Sequence, residues 1–150
     1  MTRATFVKAA RKNYPDTGIK KGESYWWWSF RFGGKHMSKT APRRSQLTQS
    51  EFLSTMYDAE DMIGDTIAGF ENDKASFDDL AQSLEDAANT VREAGENSDE
   101  KFSNMPDGLQ QGDTGQLLES RRDNAETIAE QLEDAASQIR DLAEPEEEEN

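Results

Sequence analysis

Apolar residues recur in steps of three and four from Phe52 onward: Phe52, Met56, Ala59, Ile63, Thr66 or Ile67, and Phe70. That spacing puts them on one face of an amphipathic helix over about 49–70. Thr48-Gln49-Ser50-Glu51 just ahead has the form of a capping box. Ser76-Phe77-Asp78-Asp79 opens a second helix, over 76–94, with a stripe at Phe77, Leu80, Leu84, Ala87/Ala88, Val91 and Ala94. Gly95 reads as its stop. Gly95 to Thr114 is polar and holds Pro106 and several glycines, so it reads as a long mobile or partner-contacting loop. Phe102, Met105 and Leu109 are the residues available to pin it.

The longest helix is predicted over 113–143. Its stripe is Leu118, Arg121, Ala125, Ile128, Leu132, Ala135, Ile139 and Leu142. Alternating steps of three and four make a heptad seam. This predicts an oligomer seam at Leu118, Ile128, Leu132, Ile139 and Leu142. The pattern also repeats internally. The run Leu80 to Ala88 matches Ile128 to Ala136, and the match continues to Arg92/Arg140 and Glu96/Glu144 at a constant offset of 48. Two helices so alike are expected to pack alike, including with each other. Pro145 ends the helical pattern, and 145–150 reads as a solvated acidic tail.

The first third follows a different rhythm. Phe6, Val7 and Ala10 against Lys8, Arg11 and Lys12 predict a short helix over Thr2–Lys12, followed by turn chemistry from Asn13 to Gly18. Tyr25 to Phe32 is the strongest strand signal in the chain. Gly33-Gly34 suits a two-residue hairpin loop, with Lys35 to Thr40 returning as the second strand. Alternation then puts Trp26, Trp28, Phe30 and Phe32 on an apolar, buried face beside Met37. Tyr25, Trp27, Ser29 and Arg31 fall on a wet face beside His36, Ser38 and Thr40.

Composition sharpens this division. Leu, Ile, Val and Phe make up only 23 of 150 residues, below the roughly 20% usual for a self-sufficient core. A thick single core is excluded, and long helices fit better. Residues 1–50 carry eleven Lys and Arg against Asp16 and Glu23, a net of +9. Residues 51–150 carry six bases against 29 acids, a net of −23, so the chain totals −14. Eight of the 13 aromatic residues lie before position 33. A basic aromatic head is thus joined to an acidic body, and such asymmetry points to a polyanion partner for the head or to pairing of head with body.

The chemistry follows from these parts. On the hairpin, Arg31, Lys35, Lys39, Arg43 and Arg44 are candidates to neutralise phosphates. Trp27 or Tyr25 is a candidate to stack a base, with His36 on the same face. His36 by itself reads as a surface histidine. Absence of Cys removes disulfides and thiolate metal sites, and one His removes a His-rich site. Asp58, Glu60, Asp61 and Asp65 read as a solvated helix face, so no metal and no cofactor is expected. No glycine-rich phosphate loop and no nucleophile elbow occur, and the chain reads as non-enzymatic. Met1–Ala10 lacks the apolar core of a secretion signal. No run of roughly 18 apolar residues occurs either. A cytoplasmic protein with no membrane partner is expected.

The stretch Gly22 to Leu47, with Tyr25-Trp26-Trp27-Trp28-Ser29-Phe30-Arg31-Phe32-Gly33-Gly34-Lys35-His36 at its centre, resembles one found in small phage and prophage proteins of unassigned function. The resemblance implies a phage origin, hence host cytoplasm, and brings no catalytic residues. The hairpin is also loosely similar to the small sheet of phage integrase arm-binding domains, which have three strands and a helix.

The fold expected is therefore mainly α. A small N-terminal β-hairpin head (α+β, 1–47) precedes an antiparallel helical bundle or coiled coil (48–144). The leading functional expectation is a non-enzymatic phage-type binding protein whose head contacts nucleic acid and whose body self-associates or binds a partner. Two alternatives stand beside it. One is an acidic DNA mimic, an anti-defence inhibitor that captures a basic host protein. The other is a structural or scaffolding component of a virion.

Overall fold

A computed structural model describes residues Thr2–Ala143; the expected tail at 145–150 lies outside the described residues. The chain forms two compact units, Met1–Ser54 and Thr55–Asn150. The first holds a three-stranded antiparallel sheet in the order β1 (Thr5–Val7), β2 (Tyr25–Phe30), β3 (Gly34–Ser38). Long helices follow: α1 (Glu51–Glu71), α2 (Phe77–Ser103), a short α3 (Asp107–Gln110) and α4 (Asp113–Ala143). The fold is mostly helical α+β.

In place of the expected helix over Thr2–Lys12 there is a short strand at Thr5–Val7. Thr5, Phe6 and Val7 pair with Trp27, Trp26 and Tyr25. β-Branched and aromatic side chains favour this pleated surface, and the Phe6 and Trp26 rings meet at 5.1 Å across it. The segment between β1 and β2 then folds back under one sheet face. Tyr14 and Ile19 bridge around a 3₁₀ turn at Pro15–Thr17, closed by Gly18 at φ +67°. The Ala10 N–H donates to the Glu23 carbonyl at 2.8 Å. Ala10, Ile19 and Tyr25 form the buried cluster, with Val7, Tyr14, Trp27 and Met37 packed on it.

The hairpin register also differs from expectation. The chain turns over Arg31–Gly33, so Trp27 faces Met37, Trp28 faces His36 and Phe30 faces Gly34. Gly34, at φ +74°, supplies the left-handed residue that closes a longer turn. Relative to a Gly33-Gly34 loop, β3 is shifted by an odd number of residues, which flips its side chains across the sheet. The face carrying Tyr25 and Trp27, expected to be wet, is the one that carries the cluster just described. On the opposite face Trp28 is buried, while Trp26 and Phe30 are half-buried. Phe32, expected in the core, sits in the turn and is 87% exposed.

In the second unit, Ser76 caps α2. Its Oγ accepts from the Asp79 N–H at 3.2 Å, and the Asp79 carboxylate accepts the Ser76 N–H at 2.7 Å. The cap of α1 is Ser50, not Thr48: Ser50 Oγ accepts the Leu53 N–H at 3.3 Å. Arg44–Leu47 forms a 3₁₀ turn and draws Thr48 into its end. Gly95 does not stop α2. The helix runs to Ser103 because Gly95 is a packing residue: a Cβ there would lie 2.8 Å from the Cβ of Ala125 in α4. The expected long loop shrinks accordingly to a connection around α3. The Gln110 amide caps the end of α2 by donating to the carbonyls of Phe102 and Met105 at 3.2 and 3.0 Å.

α2 and α4 pack antiparallel, as their cross-links show. Glu85 meets Arg140, Arg92 meets Glu133, and Asp99 meets Arg122. Ala81, Ala87, Ala88, Ala125, Ala129 and Ala136 between them have no exposed surface. Side chains this small let the two helix axes approach closely. α1 lies on the pair through Ile63, against Leu84, Leu132 and Ile139. Thr66 Oγ1 donates to Ser83 Oγ at 2.9 Å beside it.

Candidate nucleic-acid interface

The hairpin turn places its functional side chains by local geometry. Arg31 and Phe32 are exposed at the tip, with the guanidinium 5.4 Å from the Phe32 ring centre. Ser29 pairs with Lys35, so Lys35 follows at once on β3. Its Nζ lies 4.6 Å over the Trp27 ring, a cation–π contact. His36, on the opposite face, stacks on Trp28 at 5.6 Å and meets Phe30 edge-on at 5.5 Å. Its Nε2 lies 3.2 Å from the Gly33 carbonyl oxygen.

The linker after β3 returns to the same end of the sheet. Thr2 binds both sides: its N–H donates to the Leu47 carbonyl at 2.9 Å and its hydroxyl to the Ser29 carbonyl at 2.8 Å. Gln49 lies against Gly33, where a Cβ would sit 2.7 Å from its side-chain nitrogen. The 3₁₀ turn Arg44–Leu47 thus ends near the tip, and Arg43 and Arg44, at its start, are both exposed. Arg43 has its backbone N–H held by the Gln46 side chain at 2.9 Å.

Two expected site residues are placed differently. Tyr25 is only 6% exposed. Its hydroxyl bonds to that of Tyr14, which together with burial pushes the phenol above its ordinary range. It belongs to the core and has no face to offer a base. Lys39 lies at the far end of the hairpin, bound to Glu23 at 3.2 Å. The Lys20 N–H and then Lys39 hold the Glu23 carboxyl below its ordinary range. Trp27 is half-buried beneath Lys35. Phe32, which the alternation assigned to the core, is the tip residue missing from the expected site. Its signal was the pair of glycines behind it, which permit either a two-residue or a longer turn, and the longer one carries Phe32 out of the sheet.

The predicted seam on α4 is largely covered within the chain. Leu118 is buried, and Leu132 and Ile139 pack on the cluster of Ala81, Leu84 and Ala136. Ile128 lines a mainly apolar cavity of about 300 Å³ with Met56, Ile63, Val91 and Leu132. Leu142 is 76% exposed. Among the described residues, no three His, Cys, Asp or Glu side chains come together in a way that could hold a metal. No helix among them is long and apolar enough to cross a membrane.

No protein-family model, curated protein or solved structure matches this chain.

Proposed function

We propose that the chain is a non-enzymatic, phage-type nucleic-acid-binding protein that grips its target with the tip of the head. The carrying observation is the exposed set Arg31, Phe32, Lys35 and His36 on one hairpin end, with Arg43 and Arg44 exposed at the start of the turn whose end is tied to it through Thr2. A two-stranded ribbon fits a nucleic-acid groove. Its cations neutralise phosphates, and an exposed ring flanked by a guanidinium suits stacking on a base. The acidic body, at −23, repels a polyanion and confines contact to the head.

Gel shift of the full-length protein with duplex DNA, single-stranded DNA and RNA across a salt series tests this. Wild type is expected to bind at low salt, with affinity falling steeply as salt rises. The triple variant Arg31→Glu, Arg43→Glu, Arg44→Glu should weaken binding about a hundredfold or more and flatten the salt slope by about three. Phe32→Ala should cost about tenfold while leaving the slope unchanged. Absence of binding to any of the three probes at low salt refutes the proposal.

A further inference from the structure

The repeat in the body has a structural consequence independent of the nucleic-acid reading. Residues 80–95 and 128–143 are identical at seven of sixteen positions. In the fold these two stretches face each other. Arg92 meets Glu133 at 3.0 Å, and Arg140 meets Glu85 with a second contact at 2.9 Å. Adding the offset of 48 to Glu85 and Arg92 gives Glu133 and Arg140. One ion pair is thus converted into the other, which is a local two-fold relation between α2 and α4. Its axis passes level with Ala88 and Ala136, neither of which has any exposed surface.

An interface that maps onto itself is isologous. The ion pairs and the Ala88 contact that α2 makes with α4 it can make equally with another α2. We infer that a second copy of this chain is a partner for this surface, with α2 pairing on α2 in place of α4. In that pair Ala88 faces Ala88 of the second copy, and each Glu85 faces Arg92 of the other. The released α4 keeps the same complement, since Glu133 matches Arg140 of another copy. Within one chain the intramolecular pair holds two advantages. Its helices are tethered at a high effective concentration, and the Arg122–Asp99 bond at 3.0 Å lies outside the repeat and forms only between α2 and α4.

A charge exchange on α2 separates the two pairings. In the double variant Glu85→Arg, Arg92→Glu, like charges meet across α2 and α4: position 85 against Arg140 and position 92 against Glu133. Between two copies of α2, the opposite charges still meet. The full-length double variant should therefore dimerise at a concentration at least about tenfold lower than wild type, read by light scattering after gel filtration. Arg92 also meets Glu126, at 3.5 Å, so adding Glu126→Arg, Glu133→Arg and Arg140→Glu restores opposite charges within the chain and should return it to the wild-type mass. Ala88→Cys, placed in the double variant, gives a reading independent of charge. The sequence has no other cysteine, so oxidation should link two chains through the axis. The inference is overturned if the double variant stays monomeric. It is equally overturned if that variant loses helix without dimerising, or if the thiol introduced by Ala88→Cys resists oxidation in a dimer.

Discussion

The head and the helical body bury their surfaces by opposite means. The head sets a few large rings on a thin sheet, with Ile19, Tyr25 and Trp28 nearly or fully buried. Each contributes much apolar area, and a three-stranded sheet needs that area to stand. The body places rows of alanine and two buried glycines, Gly95 and Gly115, along α2 and α4. Little area is gained per residue, but the backbones come close over several turns and tolerate no added bulk. The head should therefore respond to lost volume and the body to gained volume. All three tryptophans lie in the head at 26–28, so their fluorescence reports that unit while helical circular dichroism reports the other.

The largest effect is expected from added bulk in the body. A Cβ on Gly115 would lie 1.9 Å from the Gln110 carbonyl oxygen, a backbone atom that cannot swing away. Gly115→Ala should destabilise the helical unit by about 3 kcal/mol in urea unfolding followed by circular dichroism. The tryptophan transition should stay where it is; if both move together, the two units unfold as one and the comparison fails. Lost volume in the head comes next. Ile19→Ala, at a residue 1% exposed, should lower the tryptophan-monitored transition by about 2 kcal/mol and spare the helices.

Smaller effects sharpen the same contrast at the helix ends. Ser76→Ala should cost the body about 1 kcal/mol at neutral pH. The bonds from the Ser76 N–H and then its hydroxyl hold the Asp79 carboxyl below its ordinary value. A carboxyl lowered on folding stabilises above its unfolded pKa, and that contribution disappears as pH falls through the folded value. The gap in melting temperature between wild type and Ser76→Ala should accordingly shrink on acidification below about pH 4. Glu85, held low by Arg140, adds to the same acid loss. The smallest effect is a gain. Asp73 turns the chain from α1 to α2 at φ +55°, a conformation that strains a residue with a Cβ. Asp73→Gly should stabilise the body by about 0.5–1 kcal/mol in the same urea experiment.

Much of the body was legible because its signal is local and long. The stripes of α1, α2 and α4 run for many turns, and the Ser76 cap lies within four residues of sequence. The repeat at offset 48 even pointed to the pair that forms. Gly95 was misleading because a glycine at a helix end and a glycine under a neighbouring helix look the same until Ala125 is in place. The head was less legible. Thr5–Val7 is too short to show a period, and its partner lies about twenty residues further on. Arg31, Lys35 and His36 were found as candidates from their charge and place on the hairpin. Tyr25 is buried because the distant segment around Ala10 and Ile19 covers its face of the sheet, and Phe32 is exposed because the longer turn takes it out of β2.

What the sequence determined by itself is the division of the chain: helices from apolar periodicity, a hairpin from aromatic residues and glycines, and opposite charge in the two parts. These depend on neighbours a few residues away. Tertiary structure decided which sheet face is covered, which turn the glycines adopt, that a third strand exists, and that α4 spends its seam on α2. Each of these depends on a partner distant in sequence. Its contribution is fixed only when the two surfaces meet at a given register and separation.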